Sequence, residues 1–171
     1  MFMDDFQLDI VLYHPDIPQN TGNIARTCAA LGAALHLIKP LGFSLEDRYL
    51  KRAGLDYWPM VRLQTYSGLD EFFTRSSAEN FYYFTKKASR SYSQMKYSGK
   101  VILIFGSETR GIPESILQQN RSRCCRIPMR EKARSLNLSN AVAVAAFEAF
   151  RQNGFPGLRV RSNFRFFDKD K

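Results

Sequence analysis

A chain of 171 residues, 44% apolar and 24% charged, has the size and balance of one globular domain that buries a core without metals or disulfides, and it argues against two full-sized domains. Its formal charge of +9, from 25 basic and 16 acidic residues, makes a polyanion, above all a nucleic acid, a fitting partner. Three irregularly spaced cysteines (Cys28, Cys124, Cys125) and two histidines (His14, His36) give no disulfide framework and no support for a metal site, and no apolar run reaches membrane-spanning length.

The start, MFMDDFQLDIVLY, carries early aspartates and no basic segment ahead of an apolar one. It is unlike a secretory signal, so a cytoplasmic protein with no membrane partner is expected. Leu8 to Tyr13 reads as the first strand, and HPDIPQNTGN as a loop broken by Pro15 and Pro18. From about Asn20, the spacing of Ile24, Cys28 and Leu31 predicts a helix that Gly32 ends. Leu35 to Ile38 returns to strand, which makes a β–loop–α–β opening.

Further on, Leu45 to Ala53 reads as a short helix, Val61 to Thr65 as a strand, and Leu69, Phe72 and Phe73 as one face of another helix. Phe81 to Thr85 is a buried strand, and SRSYSQMKYSGK a polar surface connection. VILIF, Val101 to Phe105, is the clearest central strand of a parallel sheet. GSETRG leads to a helix near Pro113 to Gln119, and Cys124 to Ile127 forms the last strand. MREKARSLNLSN then feeds the greasy helix AVAVAAFEAF, which Gly154 and Pro156 end, and RVRSNFRFFDKD reads as an edge strand or, in preference, a basic arm. The fold class is α/β, a mostly parallel sheet flanked by helices.

Neither GxGxxG nor GxxxxGK[ST] is present, which argues against dinucleotide binding and P-loop hydrolysis. Three polar segments instead follow three predicted strands: PDIPQNTGNIAR, GSETRG and IPMREKARSLN. Ligands of open α/β sheets gather beyond strand C-termini, so these segments are the candidates for a site. Residue by residue, two readings stand. Gly106 serves close ligand approach or a tight turn. Glu108 contacts a ligand, orients amides, or, more simply, pairs with Arg110. Arg26 holds a phosphate or is a solvated helix charge. Asn20, Ser135 and Asn137 are helix caps or organisers of a site.

Together, HPDIPQNTGNIARTCAALG, ILIFGSETRGIP and RIPMREKARSLNLSNAVAVAAFEAF resemble the SPOUT RNA 2′-O-methyltransferases. The similarity is greatest to the small bacterial group that acts on the wobble nucleotide of transfer RNA, and it runs from about Leu8 to Gly157. The resemblance implies a deep C-terminal trefoil knot, one of the rare exceptions to unknotted folds. It also implies S-adenosyl-L-methionine bound within the knot, a homodimer, and no separate RNA-binding domain. Residues 1–157 would form the methyltransferase domain and 158–171 a basic tail.

Carried onto this chain, the resemblance makes Arg26 and Asn20 the catalytic pair. Arg26 would orient the ribose 2′-hydroxyl and its phosphate. A guanidinium normally stays charged, so whether it also accepts the proton is open. Phe84, Thr85, Gly106, Glu108, Ile127, Pro128, Met129, Ser135, Leu136 and Asn137 would bind the cofactor. Ser107 stands where close relatives often have Pro. The implied reaction moves a methyl group to the 2′-hydroxyl of position 34, cytidine or uridine, in the anticodon stem-loop. The alternatives are 2′-O-methylation of another RNA, such as ribosomal RNA, or a noncatalytic RNA-binding protein with the knotted fold. Arg48, Lys51, Arg52, Lys86, Lys87, Arg90, Arg130 and Lys132 are candidates for phosphate contacts, and Tyr57 and Trp58 for base stacking.

Overall fold

In a computed structural model of the protein, residues 6–46, 57–76 and 80–161 are described. Six strands form one sheet: β1 (Gln7–Tyr13), β2 (Ala34–Ile38), β3 (Arg62–Tyr66), β4 (Asn80–Phe84), β5 (Lys100–Phe105) and β6 (Cys124–Cys125). Their order is β3-β2-β1-β5-β4-β6, and every neighbouring pair runs parallel. The mainly apolar strands β1 and β5, with LDIVL and VILIF, lie side by side, with Val11 opposite Ile104 and Leu12 opposite Phe105. Central strands of a parallel sheet are covered on both faces and need apolar side chains pointing both ways.

Among the described residues, α-helices supply that cover: α1 (Pro18–Leu31), α2 (Leu69–Arg75), α3 (Glu114–Gln119) and α4 (Leu138–Gln152). On one face Leu8, Ile10, Leu12 and Leu103 pack with Ile24 and Cys28 of α1 and Val142, Ala145 and Ala146 of α4. On the other, Val11, Ile38, Ile104 and Tyr83 pack with Phe72 of α2 and Leu117 of α3. A small polar group is buried near that second face, where His36 Nδ1 lies 3.1 Å from the Tyr66 hydroxyl and Asp9 Oδ2 lies 3.7 Å from Lys100 Nζ. Among the described residues no helix is long and apolar enough to cross a membrane.

The strands stand where the apolar runs predict them, to within a residue or two, except that β6 stops at Cys125 rather than Ile127. α1 starts two residues ahead of Asn20, at Pro18, whose missing N–H and fixed φ suit a first helical position. It ends at Gly32, left-handed at φ 67°, as that glycine predicts. The helix expected at Leu45–Ala53 lies mostly outside the described residues. Residues 158–161 have no regular structure, and the rest of the basic arm lies outside the description.

The topology sets up a crevice. β1 is followed by α1 on one face of the sheet, and its neighbour β5 by α3 on the other. The loops leaving these two strands therefore diverge, the arrangement at which open α/β sheets bind ligands.

Candidate active site

A cavity of about 530 Å³ opens at that crevice, a volume suited to a nucleoside-sized ligand. The segments after β4, β5 and β6 and the start of α1 form its walls. Of the sequence candidates, Asn20, Phe84, Thr85, Gly106, Glu108, Ile127, Met129, Ser135, Leu136 and Asn137 all line it. Pro128 sits between two lining residues without lining it, and Arg26 does not reach it. The walls are stitched together through the backbone. Thr85 N–H donates to Cys125 O at 2.9 Å, Tyr92 N–H to Arg126 O at 2.8 Å, and Arg126 N–H to Arg90 O at 2.9 Å.

Gly106 answers to the tight-turn reading. A Cβ there would overlap the backbone of Gly111 and Ile112, so only glycine lets the loop fold back against the end of β5. Gly111, at φ 69°, closes the turn, and its N–H donates to Ser107 O at 2.9 Å. The buried Ser107 contributes its hydroxyl, which accepts from Arg110 N–H at 3.1 Å.

Glu108 does not pair with Arg110, the simpler expectation for it. Its Oε2 accepts from Asp16 N–H at 2.8 Å and its Oε1 from the Asn20 amide at 2.8 Å. The reciprocal contact comes from Asp16, whose Oδ2 accepts from the Thr109 hydroxyl at 2.5 Å. That hydrogen bond is the main reason the Asp16 carboxyl is held below its ordinary range. Two loops are thus locked by one carboxylate from each. Asp16 and Thr109 escaped notice because nothing in one sequence joins residues 93 positions apart.

The lock fixes a line of amides. An ionised carboxylate only accepts, so Asn20 must present its NH₂ to Glu108. Its carbonyl oxygen is then left to accept from the Asn137 amide, at 2.9 Å. Asn137 Oδ1 in turn accepts from Ser139 N–H at 2.9 Å, Asn140 N–H at 3.4 Å and the Ser139 hydroxyl at 2.6 Å. Asn137 therefore caps α4 and also lines the cavity. Asn20 is no cap: it lies inside α1, 5% exposed, and the residue at the cap position is Ile17. Ser135 and Leu136 hold exposed positions on the cavity wall.

Arg26 follows Asn20 by six residues, which puts it about 120° around the helix and about 9 Å along it. It is exposed, with its guanidinium carbon 4.8 Å from the Tyr57 ring centroid and a terminal nitrogen donating to the Tyr57 hydroxyl at 3.3 Å. Of the basic candidates, Lys86 and Lys87 line the cavity, and Lys87 is paired with Glu114 at 2.7 Å. Arg90 donates to Ser122 O, while Arg130 and Lys132 are exposed on the segment that leads to Ser135. Arg110, unremarked in sequence beyond its supposed pairing, also lines the cavity. Arg48, Lys51, Arg52 and the Trp58 side chain lie outside the described residues. Ile17, Leu136, Val144 and Phe147 leave apolar surface exposed. Among the described residues no cluster of three His, Cys, Asp or Glu is placed to hold a metal ion.

The model of the SpoU rRNA methylase family matches residues 7–147. An Escherichia coli (strain K12) tRNA (cytidine(34)-2′-O)-methyltransferase is 44% identical over 155 residues, covering 90% of this chain and 99% of that one. A solved structure concerned with 2′-OH methylation of C/U34 on tRNA superposes with a TM-score of 0.82 at 46% identity, over 86% of this chain and 97% of the other. An AdoMet-bound rRNA methyltransferase from Sinorhizobium meliloti superposes with a TM-score of 0.77 at 25% identity, over 88% of this chain and 58% of the other.

Proposed function

The chain belongs to the SpoU methylase family, and on that premise we propose that it methylates the ribose 2′-hydroxyl of the wobble nucleotide, cytidine or uridine 34, of transfer RNA. Its mostly parallel α/β sheet is that of the trefoil-knotted SPOUT methyltransferases. The observation that carries the proposal is the convergence of three separate polar segments on one cavity, tied by the line from Glu108 through Asn20 to Asn137.

The cavity suits S-adenosylmethionine in size and chemistry. Ile17, Phe105, Ile112, Leu117 and Leu136 offer apolar wall, and Thr85 and Ser135 offer hydroxyls. Phe84, Thr85, Gly106, Ile127, Pro128, Met129, Ser135 and Leu136 would hold it. When bound, S-adenosylmethionine supplies a methyl group on a sulfonium, ready for direct displacement. The protein's part is to align the 2′-oxygen with that methyl and keep it there, from which much of the rate gain of such reactions comes. Glu108 and Asn20 keep the walls in register. Arg26 offers directional donors for the target phosphate and 2′-hydroxyl, and as the methyl passes to the oxygen, S-adenosylhomocysteine leaves and the hydroxyl proton goes to a base or to solvent.

Because Arg26 does not line the cavity of its own chain and rests on Tyr57, the reading has it serve the cavity of a second copy in a homodimer. Val144 and Phe147, 40% and 47% exposed and one turn apart on α4, are the apolar surface such a copy would cover. The tRNA anticodon stem-loop is the RNA partner. Exposed Lys86, Arg110, Arg130 and Lys132 would draw its phosphates without reading sequence. Residues 1–157 form the working unit and 158–171 a basic extension of it.

Incubation with purified tRNA and ribosomal RNA in the presence of S-adenosylmethionine, followed by mass-spectrometric mapping, is expected to find 2′-O-methylation at position 34 of tRNA. Label confined to ribosomal RNA, or RNA binding with no methyl transfer, would overturn the proposal.

A further inference from the structure

Arg26 carries a contact that the methyl-transfer reading leaves unexplained, and the inference drawn from it rests on that reading. An arginine at an exposed helix position is usually free to sweep through solvent. Here the guanidinium lies over the ring of Tyr57, 31 residues away, and donates to the hydroxyl of the same side chain. The half-buried Tyr57 is itself anchored. It opens the turn Trp58–Met60, which packs against α1, and its carbonyl accepts from Met60 N–H at 2.9 Å.

The choice of partner matters electrostatically. No carboxylate pairs with Arg26 among the described residues. An aspartate or glutamate in this place would hold the guanidinium equally still but cancel the charge an RNA phosphate has to meet. An aromatic ring restrains the cation by its quadrupole and adds no net charge. The planar fork keeps its other N–H groups for a ligand, and a fork already oriented loses less freedom on binding a phosphate. The same contact occupies the ring that sequence reasoning offered for base stacking.

We propose that Tyr57 is a positioning residue for methyl transfer, holding the Arg26 guanidinium aimed at the phosphate of the target nucleotide. Its effect runs through Arg26 and not through the cofactor cavity.

The test uses the full-length protein and tRNA. Tyr57→Leu is expected to lower single-turnover methyl transfer about tenfold, with S-adenosylmethionine affinity and thermal midpoint unchanged. Tyr57→Phe, which keeps the ring, stays within about threefold of the parent. In an Arg26→Lys background, Tyr57→Leu adds no comparable loss. Undiminished transfer in Tyr57→Leu, or the same tenfold loss in both backgrounds, overturns the proposal. Should the parent protein label no tRNA, the functional reading fails, and ¹⁵N relaxation of the Arg26 Nε–H still decides the positioning role. Restrained motion in the parent that is released in Tyr57→Leu supports it, and equal motion in both sinks it.

Discussion

Asn137 accepts three hydrogen bonds at the start of α4 through its carbonyl oxygen and donates one to Asn20 through its nitrogen. A carboxylate can imitate the first role and not the second. Asn137→Asp keeps an acceptor at a helix N-terminus, where negative charge is favoured, but turns an oxygen toward Asn20 Oδ1. This variant is expected to hold its melting temperature while S-adenosylmethionine affinity falls about tenfold, a loss of roughly 1.4 kcal/mol. Asn137→Ala loses both roles, and its stability drops by about 1 kcal/mol as well. Calorimetric melting and titration with S-adenosylmethionine check the pair. Parental affinity in Asn137→Asp would mean that the amide line does not shape the cavity. Asn20 shows why such a line is hidden in sequence. Its polar side chain near a helix start is what a cap looks like, and only the fold reveals that the helix began at Pro18 and that Glu108 stands opposite.

At the scale of elements, α4 is fastened at its far end by a polar cluster. Glu148, 9% exposed, accepts from Arg151 at 2.7 and 2.9 Å and from Gln152 at 2.9 Å. Gln152 donates to Met95 O at 3.1 Å, and Asn153 donates to Tyr97 O at 2.6 Å. The hydrogen bonds from Arg151, foremost, and Gln152 hold the Glu148 carboxyl below its ordinary value near 4.5, against the opposing pull of burial. A carboxylate depressed in the fold stabilises it above the unfolded value, and that stability is lost as pH falls through the folded one. Thermal melts are therefore expected to show stability declining below about pH 4.5, and Glu148→Gln should flatten that decline. The Arg151 side chain is 62% exposed, so solvent screening keeps the share of this pair small. An unchanged slope in Glu148→Gln would assign the acid sensitivity elsewhere. The elements themselves were largely legible, because strands covered on both sides must be apolar throughout, as VILIF is. β6 was less so: its two strand residues continue into an extended segment whose polar run carries no period of its own. In the greasy run AVAVAAF, Val142, Ala145 and Ala146 face the core, while Val144 and Phe147 stand exposed.

At the scale of the molecule, the angular offset between Asn20 and Arg26 is the deciding quantity. Six residues of helix set the two side chains about 120° and about 9 Å apart, Arg26 does not line the cavity that Asn20 lines, and α1 is unbroken between them. If each cavity is completed by Arg26 of a second copy, two defective proteins can repair one another. Arg26→Ala keeps an intact cavity and lacks the guanidinium. Gly106→Ala keeps Arg26 and lacks the cavity, because the added Cβ meets the Gly111 and Ile112 backbone. In a mixed dimer the intact cavity of the first faces the arginine of the second. Equal mixing with free exchange makes half the dimers mixed, each with one working site, so about a quarter of the parental methyl transfer should return. Each variant alone stays near background, and far-UV circular dichroism confirms that both are folded. Adding Phe147→Asp to both should abolish the repair and yield monomers by sedimentation, since it sets a charge in the apolar face that a second copy would bury. Mixtures that remain inactive while sedimenting as mixed dimers would instead place Arg26 in the service of its own chain. α1 or the Tyr57 contact would then have to rearrange when RNA binds.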